Sequence, residues 1–231
     1  MRTDQAAQLL AKTRLFANLG DDARMALAAA VLDRVYKRGQ LIFHQGDLGE
    51  ALFIVVEGLV KVFVTSEEGD EMVLVTLGPN EVFGELSLVD GGTRSASAEA
   101  VEKTRLLALS RSTLLSLLAE SPQWTEALLR SLGEALRRLT EQASDLVFLD
   151  LHGRVAKLIL GMARTTASSG DGAAVVLDLH LTQTDLAAMV GGSRQSVNQI
   201  LHAFERRGYL EVRGRQISIN DLEALRRRAG M

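Results

Sequence analysis

Residues 182 to 204 read Thr182-Gln-Thr-Asp-Leu-Ala-Ala-Met-Val-Gly-Gly-Ser-Arg-Gln-Ser-Val-Asn-Gln-Ile-Leu-His-Ala-Phe204. The pattern predicts two short helices around Gly191-Gly192. Thr182 is placed to cap the first, with Asp185 three residues on as a variant of the capping box. Ala187 is small where two helices would cross, Gly191 permits a tight turn, and Val197 and Ile200 bury the second helix against Leu186 and Val190. Ser193 then caps the second helix and leaves Arg194, Gln195, Asn198 and Gln199 on its exposed face, with His202 one turn on. These side chains can hydrogen-bond base edges or phosphates, and none is acidic. The arrangement is a helix-turn-helix; the plain alternative is an αα-hairpin with an ordinary polar surface.

The flanks favour the first reading. Downstream, Gly208 to Ile219 gives two alternating strands around Arg213-Gly214-Arg215, a wing whose tip is a candidate phosphate contact. Upstream lie a strand from Ala174 to Leu179, a loose Ser168-Ser169-Gly170-Asp171-Gly172 loop, and a helix from Gly153 to about Thr166. Before these, Leu128, Leu132, Leu136, Leu139, Ala143 and Leu146 recur at spacings of 4, 4, 3, 4 and 3. Pro122 suits a first helical turn, and only Gly133 interrupts the run to Asp150, so one helix of about 25 residues is expected. Its apolar stripe is read as a two-stranded dimer seam built from Leu132, Leu136, Leu139, Ala143 and Leu146. A helix lying on its own domain is the alternative.

The first half has another period. Leu41 to Phe43, Leu52 to Val56, Leu59 to Val64, Met72 to Leu77 and Leu106 to Leu109 are short apolar segments separated by turn signals, as in a small β-sandwich or barrel. Thr65 to Glu71 is a hairpin tip whose four carboxylates read as solvated turn charge. Within this half, Phe83-Gly84-Glu85-Leu86-Ser87-Leu88-Val89-Asp90-Gly91-Gly92-Thr93-Arg94-Ser95-Ala96 sets a Glu and an Arg nine residues apart across a glycine-rich turn. A charge buried in a β core costs several kcal/mol unless paired. Either Glu85 and Arg94 satisfy each other or both face an anionic ligand.

Four pieces together, Gly84 to Ser95, Phe148-Leu149-Asp150, Gly153-Arg154 and Gly191-Gly192-Ser193-Arg194, resemble the cyclic AMP receptor protein and fumarate-nitrate regulator (CRP/FNR) superfamily of bacterial transcription factors. The likeness runs from about Phe16 to Ile219. It implies an α+β chain: an N-terminal β-roll of the cyclic-nucleotide-binding jelly-roll kind (1–120), a long dimerisation helix (121–150) and a C-terminal winged helix-turn-helix (151–231). In members that bind cyclic nucleotide, the residue matching Arg94 pairs with the cyclic phosphate, the one matching Glu85 accepts from the ribose 2′-hydroxyl, and Ser95 with nearby N–H groups completes the cradle. Phe83, Gly84, Leu86 and Ala96 flank these positions, and Thr140 of the long helix is placed to touch the base. Cyclic AMP or a related cyclic nucleotide is therefore the expected effector, with a ligand-independent regulator as the alternative.

Two departures matter. The family's adjacent Thr and Ser hydroxyls on the long helix are Leu139-Thr140 here, so one base contact is absent. The commonest recognition-helix pattern is Arg-Glu followed four residues later by Arg; here Arg194 is kept, but Gln195 and Gln199 replace the other two. Arginine reads guanine and glutamine prefers adenine, so the palindromic operator is expected to depart from the family's usual half-site. The DNA contacts expected are Thr182, Ser193, Arg194, Gln195, Asn198, Gln199 and His202, on double-stranded DNA, with RNA polymerase as a further partner.

Composition agrees. The 231 residues suffice for two domains, with 47% hydrophobic and 24% charged residues at globular averages. The net charge of −3 hides an asymmetry: from Leu151 onward 11 basic and 7 acidic residues give +4, against 15 and 22, or −7, before it. Without cysteine there is no disulfide, thiolate zinc site or thiolate-held iron–sulfur cluster. The histidines at 44, 152, 180 and 202 lack metal-ligand spacing, so no metal is expected. Neither a nucleophile with its base nor a Walker-type loop is visible, so an enzyme is not expected. No apolar run approaches a membrane span and the N-terminus lacks a signal-peptide core, which predicts a cytoplasmic protein with no membrane partner.

Overall fold

The computed structural model describes residues 2–17, 19–120, 122–166, 175–178 and 181–231. The Ser168–Gly172 loop, His180 and the outer residues of the strand expected from Ala174 to Leu179 lie outside them. Two compact units are present, Met1–Arg137 and Arg138–Met231.

In the first unit, helices α1 (Thr3–Lys12) and α2 (Asp21–Ala30) precede strands β1 (Leu32–Tyr36), β2 (Leu41–Phe43), β3 (Ala51–Glu57), β4 (Val60–Thr65), β5 (Glu71–Leu77) and β6 (Val82–Phe83). The short helix α3 (Leu86–Asp90), strands β7 (Ser97–Ala100) and β8 (Thr104–Ser110), helix α4 (Arg111–Glu120) and the start of α5 (Pro122–Phe148) follow. The strands form two antiparallel four-stranded sheets, β1-β8-β3-β6 and β2-β7-β4-β5, the β-roll expected from the resemblance.

Alternation along the central strands shows why the roll closes. On β3, Phe53 and Val55 join Leu106 and Ala108 of β8, Val60, Leu77, Phe83 and Ala98 in a core inside the roll. The intervening Leu52 and Ile54, with Leu107 and Leu109 of β8, face a second core shared with Leu10, Phe16, Leu27, Leu88, Leu114, Trp124 and Leu128. The period of 2 thus gives these strands two buried faces, one on strands and one under helices. The acidic hairpin departs in one respect from a purely solvated turn. Glu71 accepts from the buried Lys61 ammonium at 2.9 Å, and Glu99 lies 3.6 Å from the same nitrogen.

The second unit holds the end of α5, α6 (Leu151–Thr166), β9 (Val175–Asp178), α7 (Gln183–Val190), α8 (Arg194–Arg206), β10 (Leu210–Arg213), β11 (Gln216–Ile219) and α9 (Leu222–Arg228). Its sheet has the order β10-β11-β9, all antiparallel. The division between the units falls within the residue range of α5. Among the described residues, no helix is long and apolar enough to cross a membrane.

Candidate effector cradle and nucleic-acid interface

Arg94 is the anchor of the first site. It is 5% exposed, although it leads no regular element. Its backbone is fixed by the Arg94 N–H donating to the Asp47 carbonyl at 2.8 Å and by the Gly46 N–H donating to its own carbonyl at 2.9 Å. The side chain runs inward over the Phe43 ring, 4.2 Å from the centroid, within a cluster of Phe43, Phe53 and Phe83. Nη1 donates to the Gly84 carbonyl at 2.6 Å and the Ser87 hydroxyl at 2.9 Å, and Nη2 donates to the Ala51 carbonyl at 2.5 Å. Nε is buried with no hydrogen-bond acceptor. Burial pulls the guanidinium below the usual arginine range, while the charges of Glu85 and then Asp47 oppose that pull.

Glycines shape the cradle. Gly84 has φ of +80°, and a Cβ there would lie 2.7 Å from Arg94 Nη1; one on Gly49 would overlap the Ser87 hydroxyl. Phe83 and Ala96 are buried, Gly84 and Glu85 half-buried, and Leu86 and Ser95 exposed. The Glu85 carbonyl accepts from the N–H groups of Leu88 and Val89, which starts α3. Thr140 lies on the exposed part of α5; it is the resemblance that associates it with these residues. Sequence reasoning missed Ser87, Ala51 and Phe43 as partners of Arg94. Ser87 lay inside the quoted block, whereas a backbone carbonyl 43 residues away leaves no trace in a sequence. A buried cation, a phenylalanine bed and one unsatisfied donor fit an anionic ligand. Among the described residues, no group of three or more His, Cys, Asp or Glu is placed to hold a metal ion.

The second site is the helix pair α7 and α8. The Thr182 hydroxyl accepts the Asp185 N–H at 3.1 Å while the Asp185 carboxylate accepts the Thr182 N–H at 2.8 Å, the reciprocal cap read from the sequence. Gly191 is left-handed, with φ of +63°. The Ser193 hydroxyl accepts the Ser196 N–H at 3.1 Å and starts α8. Val197, Ile200, Leu201 and Phe204 are buried, and Arg194, Gln195, Gln199 and His202 are exposed, with Asn198 half-buried. Three contacts were not foreseen. Gln183 Nε2 donates to Asn198 Oδ1 at 3.4 Å. Glu205 accepts the Val212 N–H of the wing at 2.9 Å and contacts His202 Nδ1 at 2.8 Å.

Along α5 the apolar stripe divides. Leu128 is buried and Leu132 half-buried against the first unit's own core, whereas Leu136, Leu139, Ala143 and Leu146 are exposed. Leu129, Val147 and Phe148 are exposed as well, Phe148 at 80%.

Residues 33–121 match the model of the cyclic nucleotide-binding domain, and residues 153–228 match that of the Crp-like helix-turn-helix domain. A CRP-like cAMP-activated global transcriptional regulator of Mycobacterium tuberculosis is 36% identical over 222 residues, 96% of this chain and 99% of that one. The chain belongs to the CRP/FNR family of transcription regulators. A cyclic AMP receptor protein of Thermus thermophilus is 41% identical over 179 residues, 78% of this chain and 79% of that protein. In structure, the CRP/FNR-family regulator matches a transcriptional regulator of that family, also from Thermus thermophilus, with TM-score 0.71 and 28% identity, over 87% of this chain and 99% of that one. It also shares the fold of FixK2 from Bradyrhizobium japonicum, TM-score 0.77 at 23% identity over 85% and 96% of the two chains. The CRP/FNR family consists of transcription regulators rather than enzymes, so α7 and α8 form a DNA-binding motif and the β-roll a cyclic nucleotide-binding domain.

Proposed function

We propose that this regulator acts as a cytoplasmic homodimer on a palindromic operator, under the control of a cyclic nucleotide held by Glu85, Arg94 and Ser95, with cyclic AMP as the preferred effector. The observation that carries the reading is Arg94, a nearly buried guanidinium with one N–H lacking any acceptor. A cyclic phosphate offers charged acceptors to such a group, adding ion-pair attraction and forked geometry to hydrogen bonds from the guanidinium. The Glu85 carboxylate is suited to accept from a ribose hydroxyl, and the exposed Ser95 hydroxyl to donate to phosphate. Two relatives named for cyclic AMP support the choice of nucleotide.

The exposed leucines of α5 support pairing of two chains, because apolar side chains in register along a helix gain most when a second helix covers them. Paired recognition helices would then address successive major grooves about 34 Å apart. Effector and operator are linked: a nucleotide that favours the DNA-competent state is itself bound more tightly by the same factor when DNA is present. RNA polymerase is the partner expected at the promoter.

One observation favours a second reading, a regulator that needs no effector. Both terminal nitrogens of Arg94 already donate to Gly84, Ser87 and Ala51, as a structural arginine would. Calorimetric titration of cyclic AMP and cyclic GMP, with and without operator DNA, separates the two. Saturable binding of cyclic AMP that tightens with DNA, and that Arg94→Ala abolishes, supports effector control. Absence of heat with undiminished DNA binding supports the effector-free regulator.

A further inference from the structure

The recognition helix has a restricted chemistry. Val197, Ile200, Leu201 and Phe204 hold α8 to the domain, and the face away from them carries Arg194, Gln195, Asn198, Gln199 and His202. The base edges of the major groove differ in what these groups can do there. Guanine presents two acceptors, adenine an acceptor beside a donor, and cytosine a donor alone. Arginine therefore suits guanine, a primary amide with both ends available suits adenine, and a carboxylate suits cytosine.

Internal contacts engage two of the polar side chains. Asn198 is half-buried, and its Oδ1 accepts from Gln183 of α7 at 3.4 Å, a contact that takes one of that oxygen's two lone pairs and competes with a two-point pair to adenine. Glu205 is the one acidic residue of α8, and both of its oxygens accept from the domain itself: Oε1 from the Val212 N–H and Oε2 from His202. Those contacts, the Val212 bond first, hold its carboxyl below the usual range, so it stays an acceptor committed to the wing. Gln195 and Gln199 remain exposed, and their four-residue spacing sets them on one side of the helix with Cβ atoms about 5 to 6 Å apart.

We infer that α8 reads an operator half-site in which a single G·C pair, contacted by Arg194, stands with two A·T pairs contacted by Gln195 and Gln199. The inference rests on the DNA-binding reading of the motif and specifies the sequence class it takes.

The test is selection by the purified full-length protein from a duplex pool randomised within inverted half-sites, with and without cyclic AMP, followed by affinity measurements on the recovered sequence. Selection is expected to return one fixed guanine and two fixed A·T positions. Exchanging either A·T for G·C should weaken binding about 5- to 150-fold. Gln199→Arg should move one of those positions to guanine with affinity retained, and Gln195→Ala should relax the other without changing the fold, since both side chains are exposed. Recovery of G·C at the positions assigned to the glutamines, or an unchanged preference in Gln199→Arg, overturns the inference while leaving the protein a DNA binder. A pool from which no sequence is enriched under either condition overturns sequence-specific reading by α8 itself, and the half-site with it.

Discussion

Asp150 is joined to Arg228 across 78 residues of sequence, the carboxylate accepting from the last arginine of α9 while its other oxygen accepts the Gly153 N–H at 2.8 Å. One side chain thereby caps the start of α6 and fastens the C-terminal helix to the α5–α6 junction. The Gly153 bond, then the Arg228 bond, lowers the Asp150 pKa. A depressed folded-state pKa means the stabilisation is present above the unfolded value near 3.9 and is lost as pH falls through the folded one. Asp150→Ala should cost about 0.5 to 2 kcal/mol through the lost cap. Melting temperatures of wild type and variant measured against pH should differ at neutral pH and converge in acid; parallel curves would count against this account.

Gly84 governs the cradle through what it lacks. Gly84→Ala places a methyl group 2.7 Å from Arg94 Nη1 at φ of +80°. The backbone strain alone is of order 1 to 3 kcal/mol, and the guanidinium must shift from its Gly84 and Ser87 partners. The expected outcome is a modest fall in melting temperature with a large loss of cyclic nucleotide affinity. A variant that keeps wild-type affinity in a calorimetric titration would remove Arg94 from the effector site.

Glu205 ties the wing to α8. Glu205→Ala frees the Val212 N–H and releases His202, so the wing tip at Arg213–Arg215 should lose its fixed position. With the wing tip as a candidate phosphate contact, affinity should fall by a similar factor for every DNA sequence and the base preference should persist. Competition binding with matched and mismatched duplexes distinguishes this from a change in specificity.

Legibility differed by element for physical reasons. The caps at Thr182 and Ser193 and the left-handed Gly191 are local, set by residues within three positions, and the sequence displays them directly. The apolar runs of β3 and β8 show as strands because their length and turns are local too. The partners of Arg94 are not local: Ala51 contributes a carbonyl, and any residue type has one. Helices α1 and α2 escaped because each ten-residue segment carries few large apolar side chains, Leu9 and Leu10 in one and Met25 and Leu27 in the other, to mark a buried face. The stripe of α5 was legible as a stripe, but a heptad spacing cannot tell a residue that packs on its own domain from one that meets another chain. Leu128 and Leu136 look alike in sequence and differ in surroundings.

That difference supports the last prediction. Leu128 is 4% exposed among Trp124, Phe16 and the helical core, whereas Leu136 is 66% exposed. Leu128→Ala removes buried atoms and leaves a cavity, at a cost of about 2 to 5 kcal/mol. Trp124, the sole tryptophan of the sequence, packs against Phe16 with ring centroids 5.0 Å apart and reports that unit's unfolding by fluorescence. Leu136→Glu should leave the same fluorescence transition near its wild-type position at low protein concentration, because Leu136 is mostly exposed and is not among the residues of that core. If these leucines form the proposed seam, it should instead shift the sedimentation of the protein from dimer to monomer and abolish cooperative binding to an inverted repeat, since the added charge would be repeated on both chains. A Leu136→Glu protein that still sediments as a dimer would place the pairing surface elsewhere and leave the exposed leucines of α5 without that role.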